Sequence, residues 1–333
     1  MAERPQIAIL GAGIFVKTQY IPRLTEISDL FVLKAIWSRT EESARNAVEV
    51  ARKHFPGVDC KWGDRGLEEI IQDPAILGVA VVLAAQTQVD FSLKLLKAGK
   101  HVIQEKPAAV STIEAETALS RYKSFCANSP GHPIWAVAEN YRFEPAFAEC
   151  KKLMPSIGDM MNVQVIVEGS MNSANPYFSS SWRRDFTGGF ILDMGVHFIA
   201  GLRMLVGCEV VSVSALTSHV DVTLPPPDNI SANFQLDNGC SGVFTMVVSS
   251  RSPKVSFYGA DGNCKSFFYG FSGVTEELKT FVHDISGVAL KKGSGYETEP
   301  RSSFVEAARD VAVLEAMLIS GTKNGALVQV KQF

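Results

Sequence analysis

The sequence predicts an α/β protein, with a doubly wound parallel sheet in its N-terminal part and an α+β arrangement with a mainly antiparallel sheet in its C-terminal part. Short apolar runs alternate with helix-like segments over about the first 140 residues, as is typical of a parallel sheet with helices on both faces. After that point, strand-like runs follow one another with few helices between them. We therefore predict two domains, residues 1–140 and residues 141–333.

Five apolar runs are the strand candidates of the first predicted domain: Ile7–Leu10, Phe31–Ile36, Val79–Ala85, His101–Gln104 and Ile134–Ala138. Helical patterns follow the second, third and fourth of these runs. Because a strand, a helix and a further strand in succession form a parallel unit, this order predicts one open sheet with crossover helices.

Strand candidates also dominate the second predicted domain, where strong helical patterns lie only near residues 191–205 and 304–318. The dipeptide Asn238-Gly239 separates the last two strand candidates and predicts a β-hairpin. Residues 291–300 are polar and contain glycine, which indicates a mobile loop. The strand candidates are Val163–Glu168, Val210–Leu216, Ile230–Leu236 and Ser241–Val248.

The composition excludes several classes of protein. Hydrophobic residues make up 46% of the 333 and charged residues 20%, so the chain can build a core and is not wholly disordered. A net charge of −3, without a basic tract, argues against a nucleic-acid partner. The longest apolar run, Ile76–Ala85, is ten residues long, whereas a membrane-spanning helix needs about 20, so we expect no membrane partner.

Cysteine and histidine usage indicates the compartment and the lack of a metal site. The N-terminal segment has neither the apolar region nor the cleavage site of a signal peptide, so we expect a cytoplasmic protein. The six cysteines are far apart, with no C-x-x-C pair, and we expect reduced thiols. The six histidines show no metal-ligand spacing, so we expect no metal.

A glycine-containing turn follows the first strand candidate and opens a helix. In a dinucleotide-binding Rossmann domain, one glycine makes the tight turn and another lets the backbone approach a pyrophosphate. Gly11 and Gly13 are placed for these roles, and Ile14 and Phe15 continue the turn into the cofactor site. Val16 stands where a third small residue is usual. We therefore predict that residues 1–140 bind a dinucleotide.

The end of the second strand candidate indicates which dinucleotide binds. An NAD site normally has a carboxylate there for the ribose 2′-hydroxyl, but this chain has Ser38 and Arg39. A hydroxyl beside a guanidinium suits a 2′-phosphate, so we predict NADP(H) as the cofactor, with NAD(H) as the alternative. The alternative interpretation of Arg39 is a solvated residue that opens the next helix.

Two further motifs are typical of one enzyme family. The first is Ala98–Pro107, which reads AGKHVIQEKP, and the second is Gly188–His197, which reads GGFILDMGVH. Together they resemble the Gfo/Idh/MocA oxidoreductases, the family of glucose–fructose oxidoreductase and inositol dehydrogenase. The resemblance extends over nearly the whole chain. It implies hydride transfer between a nicotinamide cofactor and a small-molecule substrate.

Matched position by position, the resemblance implies that Lys106, Asp193 and His197 form the catalytic group. Asp193 and His197 are four residues apart and would share one helical face. Histidine suits the exchange of a hydroxyl proton, and a lysine ammonium could stabilise a developing alkoxide. Pro107 restricts Lys106 to extended backbone and allows a cis bond. Lys106 is also counted among the cofactor-binding residues.

Other site candidates each have a structural alternative. Gln86 and Thr87 would border the nicotinamide or ribose, or simply end a strand. By resemblance, Glu105 approaches the cofactor ribose, or it is an ordinary strand-end carboxylate. Arg142 lines the substrate cleft or forms an inter-domain salt bridge. Trp182 and Arg183 contact the substrate or form a packing cluster.

The leading functional hypothesis is an NAD(P)-dependent oxidoreductase that acts on a secondary alcohol or carbonyl of a sugar, polyol, cyclitol or dihydrodiol. The alternatives are a catalytically silent cofactor-binding regulator and a reductase similar to biliverdin reductase. An antiparallel sheet covered by helices on only one side leaves a face for association, so we expect a homodimer through the second domain.

Overall fold

The computed structural model describes residues 4–127, 132–185, 187–258, 270–290 and 296–333. The β-strands are β1 Gln6–Leu10, β2 Val32–Ser38, β3 Asp59–Trp62, β4 Ile76–Val81, β5 His101–Glu105, β6 Trp135–Ala138, β7 Asn162–Ser170, β8 Val210–Ser218, β9 Asn229–Leu236, β10 Ser241–Val247, β11 Ser249–Tyr258 and β12 Val328–Gln329. The α-helices are α1 Ile21–Glu26, α2 Glu41–Arg52, α3 Gly63–Gln72, α4 Ala85–Lys97, α5 Thr112–Ala127, α6 Pro145–Leu153, α7 Ser181–Arg184, α8 Gly189–Val206, α9 Gly273–Leu290 and α10 Phe304–Thr322.

The chain forms two compact units, and the first contains a six-stranded sheet in the order β3-β2-β1-β4-β5-β6. Every pairing in it is parallel, and the order reverses at β1, as in a doubly wound Rossmann sheet. The predicted parallel sheet is confirmed. The carboxyl ends of its strands share one edge, where open α/β sheets bind their ligands.

The first unit takes up a segment that the predicted domain boundary left out. It comprises Met1–Ala109, Glu114–Asn140 and Ser272–Glu306, whereas Val110–Ile113 falls in the second unit. The reason is α9, whose buried Val274, Phe281 and Ile285 join the core of the first unit.

The second unit contains a six-stranded sheet in the order β11-β7-β10-β9-β8-β12. Only β10 and β7 pair in parallel, so the predicted, mainly antiparallel sheet is confirmed. The β9–β10 hairpin turns at Asn238-Gly239, and Gly239 has a positive φ of 87°. Along β9, buried and exposed residues alternate, as expected for a sheet with one covered face.

Helix α8 lies in the interior of the second unit. Its Gly189–Val206 sequence is long and apolar enough to pass a composition test for a membrane span, and 78% of it is buried within the protein. Gly188, with a φ of 82°, precedes its first turn, and Gly207, with a φ of 66°, ends it. This helix carries two of the predicted catalytic residues.

Six strands and helices are absent from the sequence prediction: β3, α3, α6, α7, α9 and β11. Strand β3 reads Asp-Cys-Lys-Trp at the sheet edge, so it lacks the apolar run that marks an interior strand. Helix α9 could have been predicted, because its apolar residues recur at helical spacing in the sequence. These residues are buried in the core of the first unit. Residues 291–295 of the predicted mobile loop, and Cys264, lie outside the described residues.

Candidate active site

The two glycines of the turn after β1, Gly11 and Gly13, are required for different reasons. Gly11 has a φ of 130°, and a Cβ there would overlap the carbonyl oxygen of Val82. Its N–H donates to the carbonyl oxygen of Trp37 at 2.8 Å, so Gly11 is required by the two neighbouring strands. Gly13 is exposed, and no atom lies within 4 Å of the place that a Cβ would take. The open space at Gly13 fits a pyrophosphate that approaches the backbone.

The helix that follows this turn contains a π-helical segment, Val16–Tyr20, and continues as α1. The Ile21 N–H donates to the Val16 carbonyl oxygen, and the next residue, Pro22, has no N–H to donate. Ile14 is 44% exposed beside the open glycine. Phe15 packs edge-on against Tyr20, with ring centroids 5.7 Å apart. Val16 is fully buried in the core of the unit.

Ser38 and Arg39 lie at the carboxyl end of β2, on the edge where the glycine turn also lies. Ser38 is half-buried and pairs in register with Trp62 of β3. Arg39 is exposed, and no described residue forms an ion pair with its guanidinium. The next residue, Thr40, caps α2 by accepting the Ser43 N–H at 3.4 Å. A hydroxyl and a guanidinium therefore stand at this edge before the first carboxylate, Glu41, which pairs with Arg45; this arrangement fits a 2′-phosphate.

Gln86 and Thr87 lie in the first turn of α4 and do not end a strand, because β4 stops at Val81. The Thr87 hydroxyl donates to the Ala84 carbonyl oxygen at 3.0 Å. The next residue, Gln88, is fully buried, and its amide nitrogen donates to the Pro107 carbonyl oxygen. Gln88 is a supporting residue that the sequence reasoning missed.

Two buried glutamine side chains form hydrogen bonds to the backbone of the turn after β5. Lys106 is half-buried, and the Lys106–Pro107 peptide bond is cis. Gln88 binds the carbonyl of Pro107, and Gln104 donates to the carbonyl oxygen of Ala108 at 2.8 Å. The sequence allowed a cis bond here, and the structure has it. Both amides fix the backbone that carries Lys106.

Glu105, the last residue of β5, is only 8% exposed. It accepts a hydrogen bond from the Tyr20 hydroxyl at 2.7 Å. Burial raises the pKa of Glu105 to about 7, although the Tyr20 hydroxyl and the charge of Lys106 both lower it. Burial also raises the pKa of Tyr20 well above its ordinary value. The ribose contact expected for Glu105 stays a prediction, and Tyr20 is a partner that the sequence did not indicate.

In the second unit, Asp193 and His197 both lie on α8, one helical turn apart, as predicted. Asp193 is 4% exposed, and it accepts a hydrogen bond from Arg183 Nε at 2.9 Å in an ion pair. His197 is half-buried, and its ring stacks on that of Tyr141. The helix therefore carries an arginine-paired carboxylate and a half-buried imidazole.

Arg183 of α7 contacts both Asp193 and the neighbouring site candidate, Trp182. Its guanidinium carbon lies 4.1 Å from the ring centroid of Trp182 and 4.7 Å from that of Tyr177. Its Nη1 also donates to the Ser180 hydroxyl at 3.3 Å. Trp182 and Arg183 thus pack together, and Arg183 alone of the two binds the Asp193 carboxylate; their contact with substrate stays a prediction.

Arg142 lies in the interior of the second unit, where it is 3% exposed. Its Nη2 pairs with Asp310 Oδ2 at 2.5 Å, and Arg203 Nη1 pairs with Asp310 Oδ1 at 2.7 Å. Both partners belong to the same unit as Arg142. The substrate contact expected for Arg142 stays a prediction, and its ion pair with Asp310 lies within the second unit, so this pair is not the inter-domain salt bridge given as the alternative. Among the described residues, no three His, Cys, Asp or Glu side chains form a metal-binding group.

Comparisons with known proteins cover both units. Residues 6–124 match the oxidoreductase family with an NAD-binding Rossmann fold, and residues 153–265 match the GFO/IDH/MocA C-terminal domain. Dehydrogenase FPY6 of Fusarium mangiferae is 33% identical over an alignment that covers 98% of this chain and 99% of that protein. A crystal structure of an oxidoreductase from Thermotoga maritima matches with a TM-score of 0.80 at 25% identity, covering 98% of each chain.

Two Bacillus subtilis relatives differ in the cofactor that their names print. The scyllo-inositol 2-dehydrogenase (NADP(+)) IolW is 28% identical, covering 82% of this chain and 71% of that protein. The scyllo-inositol 2-dehydrogenase (NAD(+)) is 25% identical, covering 76% and 69%. Similarity to these two proteins therefore leaves the choice of cofactor to the residues of this chain.

Proposed function

Because the chain belongs to the Gfo/Idh/MocA oxidoreductase family, we propose that it is an NADP(H)-dependent dehydrogenase of a sugar, polyol, cyclitol or dihydrodiol. The observation that carries the proposal is the pair on α8, where the half-buried His197 lies one turn from the buried, arginine-bound Asp193. This arrangement suits proton exchange with a substrate hydroxyl.

The first unit provides the cofactor site of the proposal. The open backbone at Gly13 would hold the pyrophosphate, and Ser38 and Arg39 would hold the 2′-phosphate. Ile14, exposed beside Gly13, would cover the dinucleotide. When bound, the nicotinamide supplies the acceptor or donor of the hydride.

Oxidation also requires a group that accepts the hydroxyl proton and a group that stabilises the developing alkoxide, and this chain's own residues would supply both. In the oxidation direction, His197 takes the proton of the reacting hydroxyl as the general base. By the family resemblance, Lys106 would donate a hydrogen bond to a developing alkoxide and stabilise its negative charge. Asp193, whose charge Arg183 balances, accepts hydrogen bonds from the imidazole or from substrate hydroxyls. In the reduction direction, His197 returns the proton.

A substrate panel tests this function. We would assay NADP+ and NAD+ with scyllo-inositol, myo-inositol, a pyranose sugar, an acyclic polyol and a cyclic vicinal diol. The expected result is NADP+-dependent turnover of at least one ring compound, lowered about 10²–10⁴-fold in His197→Ala. Tight binding of NADPH without turnover of any compound would contradict the proposal and favour a regulator.

Two further parts of the proposal concern the state of the protein in the cell. We propose a cytoplasmic homodimer that associates through the second unit. Light scattering of the NADPH-bound protein at micromolar concentration should give twice the 36.2 kDa mass of the chain. A monomer under those conditions would contradict the assembly.

A further inference from the structure

Tyr141 lies flat against the imidazole of His197. The two ring centroids are 4.7 Å apart, and the ring planes differ by 20°. Tyr141 belongs to a short 3-10 helix, Asn140–Arg142, and His197 lies near the middle of α8. Sequence reasoning singled out His197 and Arg142, but it gave no role to the residue that contacts the one and precedes the other.

Other aromatic rings hold Tyr141 in this orientation. Phe147 of α6 packs against it with centroids 5.3 Å apart, and Phe198 of α8 meets it edge-on at 5.4 Å. Phe147 can approach α8 because residue 201 is glycine, where a Cβ would overlap the Phe147 ring. Packing on several sides leaves the Tyr141 ring few alternative rotamers.

The backbone beside Tyr141 is tied to the helix that carries His197. Arg142 pairs with one oxygen of Asp310, and Arg203 of α8 pairs with the other. All three side chains are at most 5% exposed. A buried, bidentate bridge of this kind strongly resists displacement, because separating it would leave a charge unpaired in the interior. The stack on His197 is therefore fixed at its backbone as well as at its ring.

We propose that Tyr141 is a positioning residue for His197. A stacked ring covers one face of the imidazole and opposes its rotation. The imidazole then points at the reacting hydroxyl before substrate binds, and a displacement of about 1 Å at such a group can cost about 100-fold in rate. The inference rests on the proton-transfer role proposed for His197.

The first experiment compares Tyr141→Phe with Tyr141→Leu in the whole protein. Single-turnover hydride transfer is measured with NADP+ and the ring compound of the panel that turns over fastest. Tyr141→Phe keeps the ring and should stay near the parental rate, whereas Tyr141→Leu should fall about 10–100-fold. The dissociation constant for NADP+ should not change. Tyr122→Leu is the matched control, because Tyr122 packs edge-on against Trp135 in the first unit.

A double variant and a spectrum separate positioning from mere packing. On the His197→Ala background, Tyr141→Leu should cause no further loss, because its effect acts through the imidazole. In NMR spectra of the protein labelled at its six histidines, the His197 ring protons should be shielded by the Tyr141 ring, and Tyr141→Leu should remove that shielding. This readout needs no substrate.

Three results would overturn the inference: a parental rate in Tyr141→Leu, a further loss on the His197→Ala background, or unchanged His197 shifts in Tyr141→Leu. Failure of the proposed function looks different, because His197→Ala itself would then keep the parental rate.

Discussion

Glu105 should make the stability of the first unit depend on pH in an unusual direction. Its pKa is raised by burial from 4.5 to about 7 in the folded protein. A carboxyl with a raised folded pKa stabilises the fold below its unfolded pKa, and this contribution is lost as pH rises through the folded value. The whole shift corresponds to about 3 kcal/mol, of which about 2–3 kcal/mol falls between pH 5 and pH 8.

A second group in the same unit has the opposite effect and would hide this one. Burial lowers the pKa of His101 from 6.5 to about 4, and its Nδ1 accepts the Ile134 N–H at 3.0 Å as a neutral ring. Its contribution is present above the unfolded pKa and is lost as pH falls towards 4. Over about pH 4.5–6.5 the two groups offset each other, so the parent protein alone cannot show either.

The assay is urea unfolding of the parent and Glu105→Gln, at about pH 5 and about pH 8, followed by a probe in the first unit. Glutamine keeps an acceptor for the Tyr20 hydroxyl. Relative to the parent, Glu105→Gln should gain about 2–3 kcal/mol of unfolding free energy between the two pH values. Glu49→Gln, at an exposed position of α2, is the control and should show the same small difference at both. A pH-independent difference for Glu105→Gln would refute the buried, uncharged carboxyl.

Arg39→Ala should weaken NADP(H) binding by about 1.5–3 kcal/mol and leave NAD(H) binding nearly unchanged, as measured by titration calorimetry; equal losses for both would contradict the 2′-phosphate site. Gly13→Ala should keep the parental melting temperature but raise the dissociation constant for NADPH, whereas Gly11→Ala should lower the melting temperature itself. Arg183→Met should destabilise the second unit by about 3–5 kcal/mol, because it removes the cation that balances the buried Asp193 carboxylate; denaturant unfolding checks this, and a loss below about 1 kcal/mol would contradict it.

Much of the fold was predictable because its signals are local. The strands at the centre of the first sheet, such as β1 and β5, are apolar runs that end in glycine or in a polar turn. Edge strand β3 was not predictable in this way, because three of its four residues are polar or small and it pairs with only one neighbour. Pattern reading therefore works best where a strand is buried on both faces.

The sequence predicted which residues form the candidate site, but it did not predict which side chains contact them. The glycine turn, Lys106 and the α8 pair follow from motifs, and the structure places them on the elements expected. The partner of Asp193 is Arg183, ten residues earlier, and the ring on His197 comes from Tyr141, far outside the helix. Such contacts join distant chain segments, and no periodicity in the sequence encodes them.

The composition of the first unit from three chain segments has a consequence for how the protein is made. All six strands of the Rossmann sheet have been synthesised once the ribosome reaches residue 138, but the helix that completes the core of this unit begins at Gly273. Until then, the surface that Phe281 and Ile285 later cover, including the strand β4 around Gly78, is left apolar and open. A nascent chain therefore spends the synthesis of more than a hundred residues with an unfinished first core, which is the stage at which chaperone binding and aggregation compete. A fragment that ends at residue 140 would remain at this stage, whereas one joined to α9 by a short linker would not.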